Sequence, residues 1–114
     1  MKRVSYCGES FLTTNGAADA LLALVVAFPG GHESELLELP ALNSDGDEMV
    51  VQLLVGPGSE LVSIPEASMA GEPDTLATVA YLSGRLRTLR VPRELTYSEA
   101  SSYAEYGWDT RYAL

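Results

Sequence analysis

An α+β fold, with a mainly antiparallel sheet of three to four strands packed against two to three helices, is predicted by three features of this chain. An apolar segment over residues 17–28 stops at Pro29-Gly30-Gly31. Two runs rich in Leu and Val flank the turn sequence Asn43-Ser44-Asp45-Gly46-Asp47. Apolar residues then recur at three- and four-residue steps from Leu76 to Leu89. The 114 residues fit a single domain, which buries roughly two-thirds of its unfolded surface. Hydrophobic content of 46% with only 20% charged residues separates the chain from disordered sequences, despite a net charge of -9.

Val4 to Tyr6 and Phe11 to Thr13 read as a short extended opening. Thr14 or Asn15 then offers a side-chain oxygen to cap free amides, and Asp19 suits the positive end of the helix that follows. Leu21, Leu22, Leu24, Val25, Val26 and Phe28 surround that helix on most sides, which predicts heavy burial. Glu35 to Leu42 and Met49 to Val55 read as the strands of a hairpin, because Asp-Gly tolerates positive φ in the turn between them. In the second strand both faces are largely apolar, the pattern of a central strand covered on both sides. Gly56-Pro57-Gly58 is expected to turn the chain into a strand at Leu61 to Ile64, completing a three-stranded meander.

Pro65 to Pro73 is a loop, and from Asp74 onward Leu76, Val79, Leu82, Leu86 and Leu89 form one stripe on a helix that ends before Pro92. Gly84 weakens this helix by about 1 kcal/mol relative to alanine. A last helix is signalled by the capping box Thr96-Tyr97-Ser98-Glu99, with Leu95 placed to staple onto Ala100 and Gly107 to stop it. The stretches Phe11-Leu12-Thr13-Thr14, Ala18-Asp19-Ala20-Leu21-Leu22 and Gly56-Pro57-Gly58-Ser59-Glu60-Leu61 resemble small uncharacterised proteins of high-GC Gram-positive bacteria. The resemblance implies no activity. Arginine outnumbers lysine six to one, a usage that fits a GC-rich bacterial or phage genome.

The apolar run over residues 17–28 is broken by Asp19 and is too short for the ~20 residues of a membrane span, so no membrane association is expected. No secretory signal follows Lys2 and Arg3, and a lone cysteine, Cys7, permits no internal disulfide; both favour a reducing cytoplasm. Cys7 and His32 are the single thiol and the single imidazole, two ligands short of a zinc site, and are read as structural residues rather than a nucleophile pair. Asn43, Asp45 and Asp47 resemble the start of a calcium loop. Its glycine, however, stands at position 4 instead of 6, and Leu54 occupies position 12, which leaves a solvated turn. Ser59 lies outside any Gly-x-Ser-x-Gly elbow, and no phosphate-cradling glycine motif is present, so neither a catalytic serine nor a nucleotide cofactor is expected. Arg85, Arg87, Arg90 and Arg93 are read as partners for the chain's own carboxylates and for a helix C-terminus, not for nucleic acid.

Charge is distributed very unevenly. From Val4 to Gly84 there is no lysine or arginine, while the same stretch carries twelve carboxylates: Glu9, Asp19, Glu33, Glu35, Glu38, Asp45, Asp47, Glu48, Glu60, Glu66, Glu72 and Asp74. Such like charge opposes compaction until solvent, the following arginines or a positively charged partner relieves it. The expected function is therefore that of a non-enzymatic acidic binding or regulatory protein with a basic protein partner, for which Asp45, Asp47 and Glu48 are candidate contact residues. Tyr103, Tyr106, Trp108 and Tyr112 in the aromatic C-terminal segment are candidates as well, because such side chains are favoured at interfaces. The alternative is a self-assembling subunit that buries this tyrosine-rich end in a homo-oligomer.

Overall fold

The computed structural model describes residues 1–90. The chain runs β1 (Lys2–Tyr6), β2 (Glu9–Thr13), α1 (Asn15–Ala27), β3 (Glu35–Leu42), β4 (Glu48–Val55), β5 (Val62–Pro65) and α2 (Leu76–Arg90). One five-stranded sheet has the order β4-β3-β2-β1-β5, and every pairing is antiparallel. The α+β class is as predicted, with one strand more than the upper expectation. The proposed last helix, with its Thr96 capping box, lies outside the described residues.

Each local element follows from its sequence. Cys7 and Gly8 join β1 to β2 as a two-residue turn with positive φ at both positions, 53° and 83°, the geometry that matches hairpin twist. Thr14 caps α1: its Oγ1 accepts from the Ala17 amide at 3.1 Å and its carbonyl from the Ala18 amide at 3.0 Å. Pro29 follows the helix end, where the Phe28 amide donates back to the Val25 carbonyl at 3.3 Å. In α2 the carbonyl of Thr75 accepts from Val79 at 2.8 Å and Asp74 Oδ1 from Leu76 at 3.1 Å, so the two residues share the cap.

The core joins two ribbons. Val4 and Phe11 come from β1 and β2, Leu37, Leu39, Ala41, Leu53 and Val55 from β3 and β4, and α1 places Ala17, Ala18, Leu21 and Leu24 between them. Leu82 of α2 closes the cluster. The ribbons themselves pair only at Leu12 and Leu42. The Tyr6 hydroxyl of β1 nonetheless donates to the Leu54 carbonyl of β4 at 2.7 Å. In a flat sheet those strands, three places apart, would lie about 14 Å from each other. The sheet is therefore strongly curled around α1.

Three expectations are corrected. First, β5 does not extend a meander from β4; it crosses to the far side of the sheet and pairs with β1, from Lys2↔Pro65 to Ser5↔Val62. Second, among the described residues β4 is an edge strand instead of a central one, and its second apolar face is open, with Val50 and Leu54 at 62% and 61% exposure. Third, α1 is less fully buried than expected, with Val26 85% exposed, and Leu76 falls outside the α2 stripe: it lies ~100° around the helix from the centre of Val79, Leu82, Leu86 and Leu89 and is exposed.

Candidate functional site

The twelve carboxylates of the acidic stretch find few cations. Lys2 Nζ reaches Asp19 at 2.6 Å, Arg3 grips Glu66 with Nε and Nη2 both at 2.7 Å, and Arg85 pairs with Glu35. Every cation in these pairs lies outside the Val4 to Gly84 stretch. Among the described residues the other nine carboxylates have no ion-pair partner. The expectation that the arginines neutralise the chain's own carboxylates thus holds for Arg85. Arg87 and Arg90 occupy the last turn of α2, where cations complement the helix dipole. Arg93 lies outside the described residues.

Glu35 is the most heavily engaged acid. The Arg85 guanidinium donates to both of its oxygens, and His32 Nε2 lies 2.8 Å from Oε2. Hydrogen bonding from Arg85 holds the Glu35 carboxyl below its ordinary range against the opposing effect of burial, and His32 adds to the lowering. An ionised carboxylate only accepts, so His32 Nε2 carries the proton that it donates. The ring is fixed from its other side by stacking on Phe28, with centroids 4.6 Å apart. This clamp joins the α1–β3 loop, the start of β3 and α2. Sequence reading missed it, because Arg85 is fifty positions from Glu35 and only the His32–Glu35 spacing hinted at a contact.

The residues singled out beforehand separate. Asp45, Asp47 and Glu48 sit exposed at the β3–β4 turn. There Asn43 Oδ1 accepts from the amides of Asp45 and Asp47 at 2.8 and 3.0 Å, and Gly46 adopts φ of 86°. The oxygen that would open a calcium loop is thus spent on the turn itself, and among the described residues no three His, Cys, Asp or Glu side chains converge as a metal site would need. Ser59 is likewise a turn residue, its Oγ accepting from the Gly56 amide at 2.9 Å. Cys7 is exposed in the β1–β2 turn while His32 is held by Glu35, so the thiol and imidazole serve separate places. Tyr103, Tyr106, Trp108 and Tyr112 lie outside the described residues.

The surface that sequence reading did not find is the outer face and free edge of the β3–β4 hairpin. Its cross-strand rows are Glu48 with Leu42, Val50 with Pro40, Gln52 with Glu38 and Leu54 with Leu36. Gln52 Nε2 donates to Glu38 Oε2 at 2.9 Å, while Leu36, Val50 and Leu54 stay mostly in solvent. Beside them, Ala77, Thr78 and Tyr81 of α2 wall a groove of about 500 Å³ floored by Leu36, Glu38, Pro40 and Val50. The signal was present in the two-faced apolar pattern of residues 49–55, which burial and partner contact both produce. Compared with protein-family models, curated proteins and solved structures, the chain matches none.

No helix among the described residues is long and apolar enough to cross a membrane.

Proposed function

We propose that this chain is a small acidic binding or regulatory protein, non-enzymatic, that acts in the cytoplasm through contact with a basic protein partner. One observation carries the reading: nine of the twelve carboxylates between Val4 and Gly84 have no ion-pair partner among the described residues. A partner that supplies the missing cations gains both affinity and steered association. The exposed Asp45, Asp47 and Glu48 at one hairpin tip, next to the open face of β4, are the first contacts such a partner would meet.

A tagged pull-down from the host across a salt series, followed by association kinetics with whatever is retained, tests this. The expected result is a basic protein whose on-rate falls steeply with salt and falls again when Asp45, Asp47 and Glu48 are neutralised together. A partner with a salt-independent on-rate, or capture of nothing but the chain itself, would remove the reading. The latter outcome favours the self-assembling alternative, for which the exposed apolar edge of β4 is the supporting observation.

A further inference from the structure

The hydrogen-bond phase of the β3–β4 hairpin decides which backbone groups are free. The Asn43 amide donates to the Asp47 carbonyl at 2.9 Å, which makes these two residues a bonded pair. Bonded pairs alternate in an antiparallel ladder, so the odd-numbered residues of β4 bond to β3 and the even-numbered ones point their amides and carbonyls away from it. Two side-chain contacts agree with this phase. Thr13 Oγ1 donates to the Pro40 carbonyl at 2.9 Å, and Tyr6 to the Leu54 carbonyl, both from the sides away from the ladder. The missing N–H of Pro40 also falls on the outward side, where it costs the ladder nothing.

Among the described residues, then, Glu48, Val50 and Gln52 present an unpaired row of backbone donors and acceptors on the terminal strand of the sheet. Edge strands normally carry a lysine, a proline, a bulge or a covering element that blocks further pairing. β4 has no lysine or proline in Glu48–Val55, and its neighbouring face carries Val50 and Leu54 in solvent. The charge on that face has one sign: Glu48 and Glu38 occupy alternate rows, and no cation lies on either strand.

We propose that the free edge of β4 receives an extended segment of the basic partner as an added antiparallel strand, with cationic side chains against Glu48 and reaching across Gln52 to Glu38, and apolar ones against Val50 and Leu54. This rests on the basic-partner reading and adds its mode of recognition: main-chain bonds supply the attachment and the alternating rows supply the selectivity. The fitting segment repeats cation, spacer, apolar residue, spacer. A second copy of this chain fits the backbone row equally well but brings a net charge of -9 to an acidic face.

The test uses the full chain and two capped octapeptides, Lys-Thr-Val-Thr repeated twice and Glu-Thr-Val-Thr repeated twice, with amide exchange read residue by residue. The lysine peptide is expected to protect the amides of Glu48, Val50 and Gln52, and the glutamate peptide to leave them exchanging. Val50→Pro removes an outward donor and the valine side chain while sparing the bonds to β3, so it should keep the fold and weaken the lysine peptide at least about tenfold, whereas Val50→Thr, which keeps the donor, should weaken it less. Glu38→Gln with Glu48→Gln should weaken it while leaving the free protein's exchange pattern intact. Equal binding to Val50→Pro would overturn strand addition and leave the basic-partner reading standing. Absence of binding by the lysine peptide also overturns strand addition, and together with a salt-insensitive pull-down it removes the basic-partner reading as well. Protection of these amides in the free chain, by a second copy or by the chain's own continuation beyond Arg90, also overturns the proposal.

Discussion

The hydroxyl oxygens of Thr14 and Thr75 lie 2.7 Å apart, so the residues that begin α1 and α2 are hydrogen-bonded to each other. Thr75 is 7% exposed, and Thr14 simultaneously accepts from the Ala17 amide. The two helices are thereby pinned at the same end, and Gly16 lies close enough to α2 that an added Cβ would touch Val79 at 3.6 Å.

Thr14→Ala is expected to cost about 1 kcal/mol through loss of the cap. In a Thr75→Val background the same change should cost less, because the shared bond is already gone. Urea titration of the four proteins in the cycle measures this, and strict additivity would mean that the hydroxyls do not interact.

The Glu35 clamp should make stability pH-dependent with a definite sign. Its carboxyl is held below the ordinary value, so the folded state binds this proton less readily than the unfolded state. The stabilisation is complete above the unfolded glutamate pKa, roughly 4.3, and is lost as pH falls through the lower folded value. Glu35→Gln should cost about 1.5 to 3 kcal/mol at neutral pH, the range for hydrogen bonds to a charged group, and should flatten the acid limb of the stability profile. An unchanged acid limb would show that other carboxylates set it.

Cys7 occupies a left-handed position that suits asparagine or glycine better than a β-carbon lacking a local hydrogen bond. Cys7→Asn should therefore raise stability by about 0.5 to 1 kcal/mol, and Cys7→Val should lower it. Thermal melting of both variants under reducing conditions distinguishes the backbone effect from thiol chemistry.

Screening should also stabilise the free protein. With nine carboxylates unpaired among the described residues, added sodium chloride shortens the Debye length from about 30 Å at 0.01 M to about 8 Å at 0.15 M and weakens their repulsion. The urea midpoint should rise across that range, and Asp45→Asn with Asp47→Asn should reproduce part of the rise at low salt.

What was legible in the sequence was local. Pro29-Gly30-Gly31 ended α1, Asp45-Gly46 marked the hairpin, and both strands of that hairpin begin and end within a residue of expectation. Pairing across the chain was not legible, since nothing in Val62–Pro65 distinguishes β4 from β1 as a neighbour. The same limit hid the site. An apolar second face on β4 has one sequence signature whether a helix or solvent lies over it, and the Arg85–Glu35 contact depends on how α2 returns to β3.

Placing β5 beside β1 has a kinetic consequence. The β1–β2 and β3–β4 hairpins close over short turns, events of about 1–10 μs, whereas Arg3 and Glu66 meet across 63 positions of chain. That closure carries a large loop entropy and is rewarded by four strand pairs and the Arg3–Glu66 contact, so it belongs to the late side of the folding barrier. Val62→Ala and Ile64→Ala should accordingly speed unfolding while leaving the folding rate nearly unchanged, and the Lys2–Pro65 margin should be the first part of the sheet to open and the last to close.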